Sequence, residues 1–381
     1  MKITGAHLTK SSNEVDVLKF IASNEVPSVS REYLQILLNH FVHQGPNGIH
    51  SCVVSKPAWF TVAQGLFCMQ KRRSLPVEVA RAITGQLITG LAALHAIGIV
   101  HGDLHPGNII LAHPDRTFKS QTIEEIYKSY YRPTKIPLHL YQAATLEKPP
   151  IPDNAPLYIV ASLYATDGFD ALELSDAEVI IGDFAPESLF GKRLNLNMDR
   201  PSDIWSLGCL ICRLFGVRPI LDTAHHDPEE NFVRAVRMIG KPPQQWWDLS
   251  EMKDGFNHNA GNDNEAHDDL NEYGPIDETK ASLRRRVMVW LKEDRGSDMT
   301  DEELEDMLAL LEPMFHWLPN ERTTASDLLS SPWMKKWGLP AMESMKRERK
   351  AKKKEGTMIS SSTQSHQAYV NGETGTCICE D

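Results

Sequence analysis

The chain has 381 residues, 41% hydrophobic and 24% charged, with a formal net charge of −11. That length accommodates two or three domain-sized units or one two-lobed enzyme. No run of about 18 uninterrupted apolar residues occurs, which argues against a membrane span, and six cysteines at this length do not make a disulfide framework. The opening Met1-Lys2-Ile3-Thr4 has no signal-peptide character, so the expected compartment is reducing: cytoplasm, nucleus or both. Cys209 and Cys212 are spaced C-x-x-C inside an apolar helical run, where small core residues are the preferred reading over a redox or metal pair. Cys377 and Cys379 lie in a polar tail and receive no role.

In chain order, Ser11 and Ser12 precede Glu14, Val15, Leu18 and Ile21, a pattern that predicts a short capped helix over 11–22. Residues 33–42 and 50–55 read as strands, with Gly45-Pro46-Asn47-Gly48 as their turn. Pro76 stands where a helix would begin, and Ile83, Leu87, Leu91 and Leu94 follow at helical spacing. Gln86, Thr89 and His95 interrupt that apolar face, which marks a buried core helix. Further helices are predicted at 203–215, 301–317 and 323–330. The first 59 residues are strand-rich and 60–340 mainly helical, which sets the domain boundary. Residues 248–271, acidic and Asn-rich, read as a solvated loop. Residues 341–381 read as a basic stretch followed by a Ser/Thr-rich disordered tail, and the basic run at 346–354 reads either as a nuclear-import or anion-facing patch or as a solvated helix end leading into that disorder. From Gly356 onward the composition supports no core.

The most informative stretch is His101-Gly102-Asp103-Leu104-His105-Pro106-Gly107-Asn108. An Asp and an Asn five residues apart in a loop after a buried helix suit phosphoryl transfer. The Asp can orient an attacking hydroxyl and accept its proton, while the Asn amide helps hold a metal ion on the phosphates. An Asx-rich turn without chemistry is the plainer alternative. Downstream come Val179-Ile180-Ile181-Gly182-Asp183-Phe184, then Ala185-Pro186-Glu187, then Asp203-Ile204-Trp205-Ser206-Leu207-Gly208. Pro319-Asn320-Glu321-Arg322 and Ser331-Pro332-Trp333 close the series.

In that order these elements resemble the C-lobe of eukaryotic protein kinases over roughly residues 76–336. The resemblance implies an α+β, two-lobed kinase fold with a reduced antiparallel N-lobe sheet and a mainly helical C-lobe. It also implies ATP and Mg²⁺ as cofactors. Asp103 then matches the catalytic base, Asn108 and Asp183 the metal ligands, and His101 and Phe184 structural positions beside them. Glu187 matches the A-P-E glutamate with Arg322 as its partner, and Asp203 the helix Asp that braces the loop. Lys2, followed twelve residues later by Glu14, is similar to the kinase lysine–glutamate pair that orients the nucleotide phosphates; two surface charges are the plainer reading. A non-arginine H-x-D loop and a long insert at about 113–176 resemble the SR-protein kinase group. This implies a protein substrate or partner, with Arg/Ser-rich segments among the expected ones, and no nucleic acid or membrane expected.

Several features depart from the family pattern. Gly102 replaces the usual arginine, His105 stands where a lysine usually faces the γ-phosphate, and no G-x-G-x-x-G occurs. Lys2 lies at the start of the sequence, so the Gly-rich loop is expected to be absent. Asp183-Phe184 runs directly into Ala185-Pro186-Glu187, with no activation segment between them. Three functions are therefore weighed: an ATP-dependent Ser/Thr protein kinase, a catalytically inactive kinase-fold binding module, and a small-molecule phosphotransferase, whose loops H-G-D-L-H-P-G-N also resembles.

Overall fold

A computed structural model describes residues 1–9, 14–23, 27–45, 48–68, 75–112, 122–130, 134–137, 158–160, 172–184, 199–216, 232, 235–236, 238–249 and 281–370. The N-terminal part is a three-stranded antiparallel sheet of order β1-β3-β2, formed by Lys2–Ile3 (β1), Asn39–Gly45 (β2) and Gly48–Val54 (β3). Lys2 and His40 both face Val53 in register, so β1 forms one edge of the sheet. Helix Glu14–Ser23 (α1) packs alongside, burying Leu18 and Ile21. Its expected cap, Ser11 and Ser12, lies outside the described residues.

The expected strand at 33–42 begins only at Asn39. Residues 33–35 take their hydrogen bonds elsewhere, although Leu38 donates to Val54 O of the first sheet at 2.8 Å. Gln35 donates its backbone N–H to Ile181 O at 2.9 Å, and Ile181 donates to Tyr33 O at 2.8 Å. Tyr33 and Leu34 are thereby buried against the second sheet, whose order is β4-β5-β8. Its strands are Ala58–Thr61 (β4), Ile109–Ala112 (β5) and Val179–Ile181 (β8). From the insert, Lys135–Pro137 (β6) and Tyr158–Val160 (β7) form an exposed two-stranded pair.

The helical part is organised around Val77–Ala96 (α2), which Pro76 opens as expected. Among the described residues it is the one helix apolar and long enough to cross a membrane. However, 83% of its most apolar stretch is buried inside the protein, so it is a core helix. Gly90 is what lets it approach β8, since a Cβ there would lie 2.6 Å from Ile181 Cδ1. Each Leu or Ile that α2 buries contributes about 1.5–3 kcal/mol of transfer free energy. Arg81 on the same helix donates its Nε to Glu303 Oε1 at 2.7 Å, and Glu303 is fully buried. That pair ties α2 to helix Asp301–Leu311 (α4).

Helix Arg200–Phe215 (α3) starts at Asp199, whose side chain accepts from Arg200 N. It stops at Gly216, which takes the left-handed conformation at φ 79°. Cys212 is buried on α3, and burial pushes the Cys209 thiol up to about 12, so both sit in the core as thiols rather than as a reactive pair. The helix expected over 301–317 ends at Leu311, because Pro313 cannot continue the ladder, and a 3₁₀ turn follows. Thr324 and Asp327 form a reciprocal capping box on Ala325–Leu329 (α5).

The expected disordered tail is corrected in its first part. Helix Leu339–Val370 (α6) buries Ala341, Met342 and Met345. Lys346, Arg349 and Lys352 continue the same stripe and meet Glu32, Glu178 and Glu173. Three of the seven basic residues in 346–354 thus meet the protein's own carboxylates.

Candidate active site

The loop from His101 to Asn108 connects α2 to β5 and has almost no regular structure of its own. Asp203, the fourth residue of α3 and 1% exposed, holds it. Its Oδ2 accepts from His101 N at 2.8 Å and from His95 Nε2 at 2.8 Å, and its Oδ1 accepts from Gly102 N at 2.9 Å. Gly102 sits at φ 78°, a left-handed conformation that costs a residue with a Cβ about 1–2 kcal/mol. Glycine at this position therefore suits the turn. His95 appeared in the sequence only as an interruption of an apolar helix face. A histidine buried six residues before the H-G-D triplet was the available signal for it.

His101 is buried, and its Nε2 donates to Gly182 O at 3.0 Å while its Nδ1 accepts from Asp103 N at 3.3 Å. Burial pushes its pKa down, consistent with a neutral ring making one donation and one acceptance. Its ring lies 5.3 Å from that of Phe184. Asn108 donates its Nδ2 to Asp103 O at 2.9 Å and to Asp103 Oδ2 at 3.2 Å. The Asp103 carboxylate, half exposed, is thus aimed from behind while its outer face stays open.

His105 Nε2 lies 3.6 Å from Asp103 Oδ2, and its Nδ1 accepts from Gly107 N at 3.0 Å. The Asp103 contact raises the imidazole above its ordinary 6.5, against burial. The same contact holds the Asp103 carboxyl below its ordinary 3.8, again against burial. A raised histidine stabilises the fold below 6.5 and loses that contribution as pH rises through its folded pKa. A depressed carboxyl contributes above 3.8 and loses its share as pH falls. The pair is therefore tightest between pH 3.8 and 6.5. Solvent screening at these half-exposed groups keeps its worth below about 1 kcal/mol. In an NMR titration, Asp103→Asn should move the His105 midpoint down toward 6.5. An unmoved midpoint would show that the two side chains do not interact.

Across the cleft, Lys2 Nζ lies 3.0 Å from Glu14 Oε2 and also meets Asp183 Oδ1. Burial pulls the ammonium pKa down, but the Asp183 and Glu14 carboxylates outweigh it and leave Lys2 above the ordinary lysine value. The structure therefore brings Lys2, Glu14 and Asp183 together, and places Asp103, Asn108, His101 and Phe184 on the adjoining loops. Among the described residues no group of three or more His, Cys, Asp or Glu side chains could hold a metal ion. A nucleotide-borne Mg²⁺ needs less, because it takes one or two protein oxygens and fills the rest with phosphates and water. The Asp183 carboxylate and the Asn108 amide oxygen suit that requirement.

Glu187 lies outside the described residues. Arg322, its expected partner, donates to the carbonyls of His316, Pro201 and Trp317 at 2.8, 2.9 and 3.3 Å. Its guanidinium also lies 4.9 Å over the Trp205 ring. These contacts staple α3 to the turn before α5.

No family model matches the chain. It is 23% identical over 335 residues to the human dual specificity protein kinase CLK4, across 87% of this chain and 59% of that protein. It is 21% identical over 355 residues to the serine/threonine-protein kinase SRPK of Physarum polycephalum, across 85% and 76%. A shorter match, 31% over 105 residues, links it to protein kinase dsk1 of Schizosaccharomyces pombe, across 26% of this chain and 19% of that protein. Over 85–87% of its length the chain is similar to protein kinases of the CLK and SRPK type at 21–24% identity. Its small antiparallel sheets and mainly helical C-terminal region are those of a kinase fold with a reduced N-lobe sheet. The chain spans 59% of the human kinase's length.

Proposed function

We propose that the chain carries the nucleotide and metal part of an ATP-dependent Ser/Thr protein kinase site, of SR-protein-kinase type, and transfers phosphoryl groups to peptides poorly. The observation that carries this reading is the convergence of Lys2, Glu14 and Asp183 opposite a loop in which Asn108 aims Asp103. Bound Mg-ATP would supply the transferable phosphoryl group and neutralise its charge. Asp103 orients a substrate hydroxyl and takes its proton, and Asn108 keeps that carboxylate in place. Lys2, held by Glu14, is available to the phosphates once Asp183 turns to the cation. The substrate class is a protein segment rich in Arg and Ser.

Calorimetric titration tests the nucleotide half. Mg-ATP should bind weakly, and Asp183→Ala should abolish the Mg²⁺-dependent part of the affinity. Binding indifferent to that substitution would refute the metal role. A second reading is a catalytically inactive kinase-fold module that binds a partner protein. It is favoured by Phe184 standing next to Ala185-Pro186-Glu187, where a kinase normally carries its peptide platform.

A further inference from the structure

Among the described residues Asp183 is the one non-glycine residue with a left-handed backbone, at φ 60°. That conformation costs a residue with a Cβ, less so for Asp than for most, and the surrounding hydrogen bonds hold it here. The neighbouring peptide groups are committed. Gly182 N donates to Asn108 O at 3.2 Å, and Gly182 O accepts from His101 Nε2 at 3.0 Å. The N–H of Asp183 itself goes to a side chain, Gln35 Oε1, at 3.2 Å.

Gln35 reaches that amide only because residue 182 is glycine. A Cβ at Gly182 would lie 2.6 Å from Gln35 Oε1. Gln35 is 8% exposed, so its amide has little room to swing aside. Its backbone is fixed as well: Gln35 N donates to Ile181 O, and Leu34 forms a parallel bridge to Ile181. The side-chain oxygen is therefore presented to Asp183 by the same contact that draws residues 33–35 to Ile181.

We infer that Gln35 is a positioning residue, whose side-chain oxygen fixes the Asp183 backbone and so directs the Asp183 carboxylate toward Lys2 and the cation site. This rests on the proposed role of Asp183 as the metal-facing carboxylate. A methionine at position 35 matches the length of glutamine but offers no comparable acceptor, while glutamate keeps an acceptor oxygen.

The test uses the full chain with Gln35→Met and Gln35→Glu. Hydrogen exchange at the Asp183 amide, read by NMR, should quicken about tenfold in Gln35→Met, the effect of one ordinary hydrogen bond. It should stay near the unmodified rate in Gln35→Glu, and Ile180 and Ile181 should be unaffected in both. Titration with ADP should show Gln35→Met losing about tenfold in Mg²⁺-dependent affinity, with Mg²⁺-free affinity unchanged. An Asp183 amide that exchanges at the same rate in all three proteins overturns the inference, as does faster exchange spread equally over Ile180 and Ile181. If the unmodified chain shows no Mg²⁺-dependent ADP binding, the kinase-site reading fails, and the exchange rates alone then support or overturn the positioning by Gln35.

Discussion

Asp203→Ala should destabilise the protein by on the order of 3–5 kcal/mol, the range for breaking a buried charged network from one side. Asp203 is 1% exposed and accepts from the amides of His101 and Gly102 and from His95 Nε2. Alanine leaves two backbone donors and an imidazole without their acceptor in a loop that has no ladder to replace it. Asp203→Asn keeps the volume but turns an NH₂ toward at least one of those donors, so it should recover only part of the loss. Thermal and urea melts decide the matter. Lys292→Ala serves as the control. Its partner is Asp301, the two side chains are 50% and 71% exposed, and such a pair is worth under about 1 kcal/mol. Equal losses from Asp203→Ala and Lys292→Ala would mean that α3 does not brace the loop.

The parts of this fold that were readable from sequence are those in which one local signal decides. Pro76 and the repeat Ile83, Leu87, Leu91, Leu94 announced α2, and the helix expected over 323–330 forms as α5. Where a segment's partner lies far away in the chain, the local pattern misled. Residues 33–38 have the β-branched and leucine content of a strand, yet Tyr33 and Gln35 bond to Ile181, nearly 150 residues on. The basic run at 346–354 looked solvated because its stabilising carboxylates, Glu32, Glu173 and Glu178, are contributed by distant segments.

The site divides along the same line. Asp103, Asn108 and Asp183 were legible because their spacing and order carry chemistry, and Lys2 and Glu14 because the downstream motifs gave their pairing meaning. The carbonyl and indole contacts of Arg322 were not legible, since three carbonyls and an indole face leave no trace in sequence; its expected partner Glu187 lies outside the described residues. Gln35 had no signal at all. Its significance depends on the absent side chain of Gly182 and on the backbone angle of Asp183.

The largest functional effect should come from the junction at Phe184. Phosphoryl transfer needs the substrate hydroxyl in line with the γ-phosphate, and a misplacement of about 1 Å can cost 10²-fold in rate. The side of the site contributed by Asp103 and Asn108 is set by Asp203 and by the helical core: Asp203 accepts from the His101 and Gly102 amides, and Asn108 donates to Asp103 O. Asp103 is therefore positioned whether or not a peptide platform follows. With Phe184 followed directly by Ala185-Pro186-Glu187, the sequence lacks the segment that separates these two motifs in protein kinases and carries their peptide platform. His105 adds little compensation, because its imidazole is engaged with Asp103 and its charge is lost as pH rises through its folded pKa. Phosphorylation of an Arg/Ser-rich peptide by the unmodified chain should therefore be at least about 10²-fold slower than by a version with an activation segment of ordinary length inserted between Phe184 and Ala185. The activity gained should disappear with Asp103→Asn, measured by phosphate transfer from labelled ATP. Robust phosphorylation by the unmodified chain that depends on Asp103 would show that peptide positioning comes from another part of the molecule. An inserted segment that restores nothing, in a protein that still melts cooperatively, would favour the binding-module reading instead.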